Sequence, residues 1–181
     1  MYQIRSSVFE TNSSSTHSIV ISKEPVTRFP MTLHLRFGEY GWEFDDYSLP
    51  DYLYTAIYEV LSRKEAEEAC RHIEKVLSQH GVACVFEPPK YTKYSGGGEY
   101  FDSGHVDHGY ELADLVEAVL SNDDLLVRAF CGDATVYTGN DNTDADADMC
   151  HCADEYMWTD VGRVPNPKHD PEHYEYFYKG N

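Results

Sequence analysis

The sequence predicts a single α+β domain with a mixed or antiparallel sheet and about three to four helices. Alternating, β-branched segments typical of strands lie on both sides of a central region with apolar residues at helical spacing. A chain of 181 residues is long enough for one well-formed core. Apolar residues at 41% and aromatic residues at 14% are typical of a folded protein.

The elements follow in order along the chain. Strands are predicted over residues 2–9, 17–22, 33–37, 82–86 and 134–139. Helices are predicted from Asp51 behind Pro50, over 64–81 with Gly81 as the stop, from near Tyr110, and over 123–132. A Gly-rich loop over 90–109, a flexible acidic loop over 139–155 and an aromatic C-terminal tail over 156–181 complete the domain 1–181.

Composition restricts the class of protein. No stretch approaches the roughly 20 apolar residues of a membrane span, and the N-terminal residues lack the pattern of a signal peptide. Five irregularly spaced cysteines favour reduced thiols over a disulfide framework. We therefore expect the protein to be cytosolic.

The acidic charge is unevenly distributed. The chain has 32 acidic and 14 basic residues, a net charge of −18. Arg128 is the only basic residue between Lys93 and Arg163, whereas half of the acidic residues lie in 94–162. Such a surface repels nucleic acid but suits a basic protein surface that normally binds nucleic acid. A merely solubilising acidic surface is the alternative.

The N-terminal stretch VFETNSSSTHSIVI places hydroxyl side chains and a histidine between two apolar segments. Ser and Asn side chains hydrogen-bond to nearby backbone, which predicts a self-satisfied turn. Phosphate binding is a second interpretation, although the stretch lacks the P-loop pattern and an adjacent lysine. A nucleophile pair formed by His17 with Ser13, Ser14 or Ser15 is the third.

Two further clusters are candidate sites. Asp144, Asp146, Asp148 and Glu155 occupy the first, third, fifth and twelfth places of a calcium loop, but Met149 stands where the turn needs glycine. A solvated loop is the competing interpretation, and Cys150-His151-Cys152 lacks a second pair of zinc ligands. The segment GHVDH, with Asp107 and His108, has residues suited to proton transfer or to metal binding, or to a polar turn.

The segments FETNSSSTHS, YGWEFDDY, GHVDH and YTGNDN occur in this order. Together they resemble a family of small acidic proteins from Firmicutes phages and mobile elements, over most of residues 4–142. Here Gly109-Tyr110 follows His108, where the family pattern usually continues with a Gln-Ser type of sequence. The chain also resembles type II-A anti-CRISPR proteins, which are inhibitors of Cas9.

That resemblance implies a binding protein without a cofactor or catalytic residues. Its partner would be the Cas9–guide RNA ribonucleoprotein, whose basic channels hold nucleic acid. An acidic surface mimicking nucleic acid would block DNA recognition or cleavage, with direct or indirect contact with DNA left open. The expected contact residues are acidic and aromatic: Asp141, Asp144, Asp146, Asp148, Asp154, Glu155, Tyr156 and Trp158.

The alternative is a metal- or nucleotide-dependent enzyme of the FETNSSS family. Its site would use Ser13, Ser14, Ser15, His17, Asp107 and His108.

Overall fold

A computed structural model describes residues 15–41, 43, 45–140 and 155–179, and these form a single α+β domain. The strand predicted over residues 2–9 lies outside the described residues. The helices are α1 (Leu49–Val60), α2 (Arg63–Ser78), α3 (Ala113–Ser121) and α4 (Asp123–Cys131), with a 3-10 turn at Gly109–Leu112 before α3.

The strands are short and belong to several small sheets. In chain order they are β1 (Ser15–Ser22), β2 (Thr32–Leu35), β3 (Glu39–Tyr40), β4 (Asp45–Ser48), β5 (Ala83–Phe86), β6 (Tyr91–Lys93), β7 (Glu99–Phe101), β8 (His105–Val106), β9 (Ala134–Asn140), β10 (Tyr156–Thr159), β11 (Gly162–Pro165) and β12 (Tyr174–Lys179).

The main sheet has four antiparallel strands in the order β12-β1-β9-β4. The central strand β1 pairs Ile19 with Val136 of β9 and with Phe177 of β12. Parallel pairs β2–β5 and β3–β8 and antiparallel pairs β6–β7 and β10–β11 lie outside this sheet. The prediction of an antiparallel or mixed sheet is therefore confirmed.

Helix α1 forms the centre of the core. Pro50 lies in its first turn, where the missing N–H costs nothing, and residues 52–58 are all buried. It packs on the face of the main sheet that presents Ile19, Ile21 and Val136, which are fully buried. A helix buried on nearly all sides explains why its sequence is apolar and aromatic almost throughout.

Helix α2 is amphipathic and is capped at its start. Ser62 and Glu65 form a reciprocal capping box, and Ala66, Ile73 and Leu77 face the core. The helix ends at Ser78, before the turn that reaches Gly81, whose φ of +77° favours glycine.

Strands also occur in three segments where none was predicted. Asn140, placed in the acidic loop by its polarity, belongs to β9 because it pairs with Ser15 of β1. The loop over 90–109 contains β6, β7 and β8, and the C-terminal tail contains β10, β11 and β12. The aromatic character of β12 reflects its position beside β1 in the main sheet.

Candidate functional site

Helix α1 brings two histidine-containing motifs to one side of the core. Tyr52 and Glu59 lie two helical turns apart and share a face of α1. Tyr52 contacts His17 of FETNSSSTHS, and Glu59 contacts His105 of GHVDH. Burial, and then the negative charge of Glu59, raise the pKa of Tyr52, so the two contacts are electrostatically linked.

The imidazole of His17 is fully buried and hydrogen-bonds through both ring nitrogens. Nδ1 lies 2.6 Å from Tyr52 Oη, and Nε2 lies 3.2 Å from Ser15 Oγ. Burial keeps the Tyr52 phenol protonated, so its O–H is able to donate to Nδ1. The two hydrogen bonds of the ring tie β1 to α1.

This geometry bears on the nucleophile pair considered for the N-terminal motif. Ser13 and Ser14 lie outside the described residues, and Ser15 is buried. A nucleophile and its base must be open to a substrate, whereas Ser15 and His17 are both fully buried and bonded within the fold. The contacts of Ser15 and His17 favour the interpretation of this stretch as a self-satisfied structural motif.

Glu59 and His105 form a carboxylate–imidazole pair two turns further along α1 from Tyr52. Glu59 Oε1 accepts a hydrogen bond of 2.6 Å from His105 Nδ1, and Oε2 accepts one of 3.0 Å from the Val106 amide. A Cβ at Gly109 would clash with Glu59 Oε2, so glycine is needed for this close approach. The carboxylate thus fixes the ring of His105, whose side chain is 30% exposed.

Asp107 and His108 form the turn that follows β8. Their side chains approach to 3.8 Å, and the Asp107 amide donates to the Tyr40 carbonyl. His108 has a φ of +54°, a left-handed conformation that is uncommon outside glycine. Tyr110 follows with 70% of its surface exposed. The turn therefore presents one histidine and one tyrosine at the surface beside the Glu59–His105 pair.

The structure places the histidines of the two motifs differently. His17 is enclosed by Ser15 and Tyr52, whereas the side chain of His108 is 36% exposed in the turn after β8. The described contacts connect them only indirectly, through the face of α1 that holds Tyr52 and Glu59.

The environment of Arg128 bears on the charge of residues 94–162, which we call the acidic half. The Arg128 side chain is 8% exposed and donates to Asp124 at 2.9 Å, to Glu175 at 3.0 Å and to the Ser22 carbonyl at 3.0 Å. The only basic residue between Lys93 and Arg163 is therefore buried and paired. It contributes no free positive charge to the surface.

Exposed carboxylates follow Tyr110 along the 3-10 turn and α3. Glu111, Asp114 and Glu117 are spaced by three residues, which places them on one side of the helical segment. Among the described residues, none of these three carboxylates has a salt-bridge partner within 4 Å. We call this set, with Tyr110, the acidic stripe.

The contact residues expected from the resemblance are only partly described. Asp141, Asp144, Asp146, Asp148 and Asp154 lie outside the described residues. Glu155 and Tyr156 are exposed, and the guanidinium of Arg163 lies 4.4 Å from the centre of the Tyr156 ring. Trp158 is in β10, and its side chain is outside the description. Of the possible calcium ligands, only Glu155 is described.

The described residues contain neither a cluster of possible metal ligands nor a cysteine with a lowered pKa. No group of three or more His, Cys, Asp or Glu side chains there has a geometry suited to a metal ion. Burial raises the pKa values of Cys70, Cys84 and Cys131, that of Cys84 to about 11. These thiols stay protonated near neutral pH and are poor nucleophiles.

Glu59 was not among the residues selected from the sequence. It is the only charged residue in the segment YLYTAIYEVLS, which is otherwise apolar, aromatic or hydroxyl-bearing. A lone carboxylate in a helix buried on nearly all sides predicts a specific partner, because burying an unpaired charge is costly. The identity of that partner depends on how β8 packs, which this local pattern does not show.

Comparisons with protein-family models, curated proteins and solved structures found no match for this chain. None of the helices in the described residues combines the length and apolar character needed to cross a membrane.

Proposed function

We propose that this protein is a stoichiometric inhibitor that binds the Cas9–guide RNA ribonucleoprotein in the bacterial cytoplasm. It blocks DNA recognition or cleavage, as the resemblance to type II-A anti-CRISPR proteins implies. The observation that supports this proposal is the burial and neutralisation of Arg128, the one basic residue of the acidic half. That half consequently offers carboxylates to a basic partner.

The acidic stripe has two properties that would allow it to bind the basic, nucleic-acid-binding surface of a partner protein. Its carboxylates lie along a helix at regular spacing, and Tyr110 adds an exposed aromatic ring at one end. Arginine and lysine side chains of the partner can pair with the carboxylates, and arginine can stack on tyrosine. Glu155 and Tyr156 are also exposed, and they supply a carboxylate and an aromatic ring of the same kind.

DNA cleavage by a Cas9–guide RNA complex tests this function. The purified protein is added before or after target DNA, at low and at high salt. We expect loss of cleavage near equimolar ratios when the protein is added first. The inhibition should weaken at high salt because exposed charges are screened. Full cleavage by several Cas9 orthologues in the presence of excess protein would contradict the proposal.

Charge-reversal variants localise the contact. Glu111→Lys, Asp114→Lys and Glu117→Lys together should raise the inhibitor concentration needed for half-maximal effect by at least about tenfold. The matched control is the triple variant Glu24→Lys, Glu68→Lys and Glu74→Lys, which changes net charge equally at other exposed positions. Equal losses in both variants would indicate an effect of net charge alone.

A second candidate function, the nucleotide-dependent enzyme, is favoured by the Glu59–His105 pair. Glu59 holds the Nδ1–H of His105, which leaves Nε2 as the nitrogen that can exchange a proton with a substrate. Among the described residues, Nε2 has no hydrogen-bond partner. The surrounding carboxylates would repel a free nucleotide, so a nucleotide would enter as its magnesium complex.

Nucleotide turnover with and without magnesium tests this second candidate. We expect Glu59→Gln to lower turnover, because the Gln amide donates to Nδ1 and thereby moves the His105 proton to Nε2. Nitrogen NMR of His105 reports that tautomer independently of turnover. Unchanged turnover in a variant with the altered tautomer would exclude His105 as the proton-transfer group.

A further inference from the structure

Strands β2 and β5 form an isolated parallel pair. Leu33 lies opposite Cys84 and Leu35 opposite Phe86, and no third strand joins them among the described residues. Parallel strands are normally buried on both faces within larger sheets. Here one face packs towards the core through Leu35, while Thr32, His34, Ala83 and Val85 on the other face are exposed.

The outer edge of β2 has backbone groups available for pairing. The Ala83 amide donates to the Met31 carbonyl at 3.0 Å, and the Glu87 amide donates to the Leu35 carbonyl at 2.9 Å. The odd-numbered residues of β2 therefore face β5. Since backbone groups of successive residues point to opposite sides of a strand, those of Thr32 and His34 face the open edge.

The side chains around this edge combine apolar and basic character. Met31 is 88% exposed and Val85 is 47% exposed. Arg28 and Arg36 are exposed, and neither has a salt-bridge partner within 4 Å among the described residues.

Two carboxylates at the C-terminal end of β2 accept hydrogen bonds from backbone amides. Asp51 Oδ1 accepts from the Arg36 amide at 2.9 Å, and Glu87 Oε2 accepts from the Phe37 amide at 3.0 Å. The side chain of Arg36, which follows β2 directly, is therefore left to pair with carboxylates from outside the chain.

We propose that the outer edge of β2 binds an extended acidic segment of a partner protein as a third strand. The backbone of Thr32 and His34 pairs with the segment, and Arg28 and Arg36 bind its carboxylates. A second copy of this chain is a poorer occupant. Pairing β2 with β2 would bring like-charged arginines together. The outer edge of β2 is distinct from the acidic stripe. It selects a negatively charged partner, whereas the acidic stripe selects a positively charged one.

A synthetic peptide of alternating glutamate and valine serves as the probe, with a lysine–valine peptide as its charge-reversed control. Binding is followed by fluorescence anisotropy and by amide hydrogen exchange. We expect the acidic peptide to bind and to slow exchange at Thr32 and His34, and the basic peptide not to bind. Equal binding of both peptides, or protection confined to other residues, would overturn the proposal.

Two variants separate charge from backbone pairing. Arg28→Glu with Arg36→Glu should weaken binding of the acidic peptide about tenfold or more. Lys64→Glu with Arg71→Glu on α2 is the charge-matched control. His34→Pro removes an outward-facing N–H and leaves the Leu33 and Leu35 groups that face β5 in place. It should abolish binding and preserve the fold.

If His34→Pro fails to fold, the double arginine variant alone decides the question. Sedimentation of the wild-type chain identifies the competing occupant. Self-association that the arginine reversals abolish would assign this edge to a second copy and would overturn the acidic-partner proposal.

Discussion

Glu59 of α1 and His105 of β8 are joined by a hydrogen bond of 2.6 Å between Oε1 and Nδ1. The other oxygen of the same carboxylate accepts from the Val106 amide. One side chain of the central helix thereby fixes both a side chain and the backbone of the strand that leads into the GHVDH turn. This contact therefore holds the strand before the GHVDH turn against α1.

Glu59→Ala should destabilise the protein by about 2–3 kcal/mol. The substitution removes both acceptor oxygens and leaves the Val106 amide without its partner in a partly buried position. Urea unfolding measures the change, with Glu68→Ala on the exposed side of α2 as the control. A loss below about 0.5 kcal/mol would mean that water replaces the carboxylate at little cost.

Gly109→Ala should be destabilising by about 1–3 kcal/mol, although alanine is usually the better residue near a helix start. The added methyl group clashes with Glu59 Oε2, so the carboxylate must leave the position in which it binds His105. Gly96→Ala is the matched control, since nothing lies within 4 Å of a Cβ at that position. Thermal unfolding of both variants makes the comparison, and equal melting temperatures would argue against a tight Glu59–Gly109 contact.

Asn122→Ala should cost about 1 kcal/mol through loss of the cap of α4. The Asn122 side-chain oxygen accepts from the amides of Asp124 and Leu125, both at 3.1 Å. Asn122→Asp keeps the acceptor and should retain most of the stability. The alanine and aspartate variants are compared by urea unfolding, and similar losses in both would show that the cap is not the source of the effect.

Arg128→Met should cost about 3 kcal/mol, because it leaves Glu175 and the Ser22 carbonyl without their donor. Asp124 adds little to this cost, because its carboxylate is exposed and can be solvated when the arginine is removed. Arg71→Met, at an exposed position of α2, is the control. Urea unfolding at low and high salt measures the loss, and a value near zero would contradict the role of Arg128 as an internal counter-charge.

The helices were largely predictable from the sequence because their signals are local. Pro50 at the start of α1, the regular apolar positions of α2 and Gly81 after it depend only on neighbouring residues. Strands β3 and β8 gave no such signal. Each has two residues, and they exist because Glu39 and Tyr40 meet His105 and Val106 across a large sequence separation.

The candidate site was predictable to a smaller extent. The unusual composition of GHVDH identified one side of it, but the carboxylate that orients His105 lies on α1, far away in sequence. The burial of His17 likewise depends on Tyr52, which the hydroxyl-rich motif does not indicate. A local motif predicts the type of residue at a site, whereas its partners are set by the packing of distant elements.

Stability should fall steeply as the pH rises above about 10. Burial is the main cause that raises the pKa values of Tyr40, Tyr52, Tyr54 and Tyr58 above the ordinary value of 10.0. In the unfolded chain these phenols ionise near that ordinary value, while the folded chain retains their protons. Above it the unfolded state binds fewer protons, so the free energy of unfolding decreases with pH, and below it these groups add no pH dependence.

The urea midpoint measured between about pH 8 and pH 11, together with phenolate absorbance, checks this prediction. Phenolate from the buried set should appear only as the protein unfolds. Tyr58→Phe should make the alkaline loss shallower, because one buried titrating group has been removed. Tyr94→Phe, at a side chain that is already exposed, should leave the slope unchanged. Identical slopes in both variants would contradict a contribution of the buried Tyr58 to the alkaline transition.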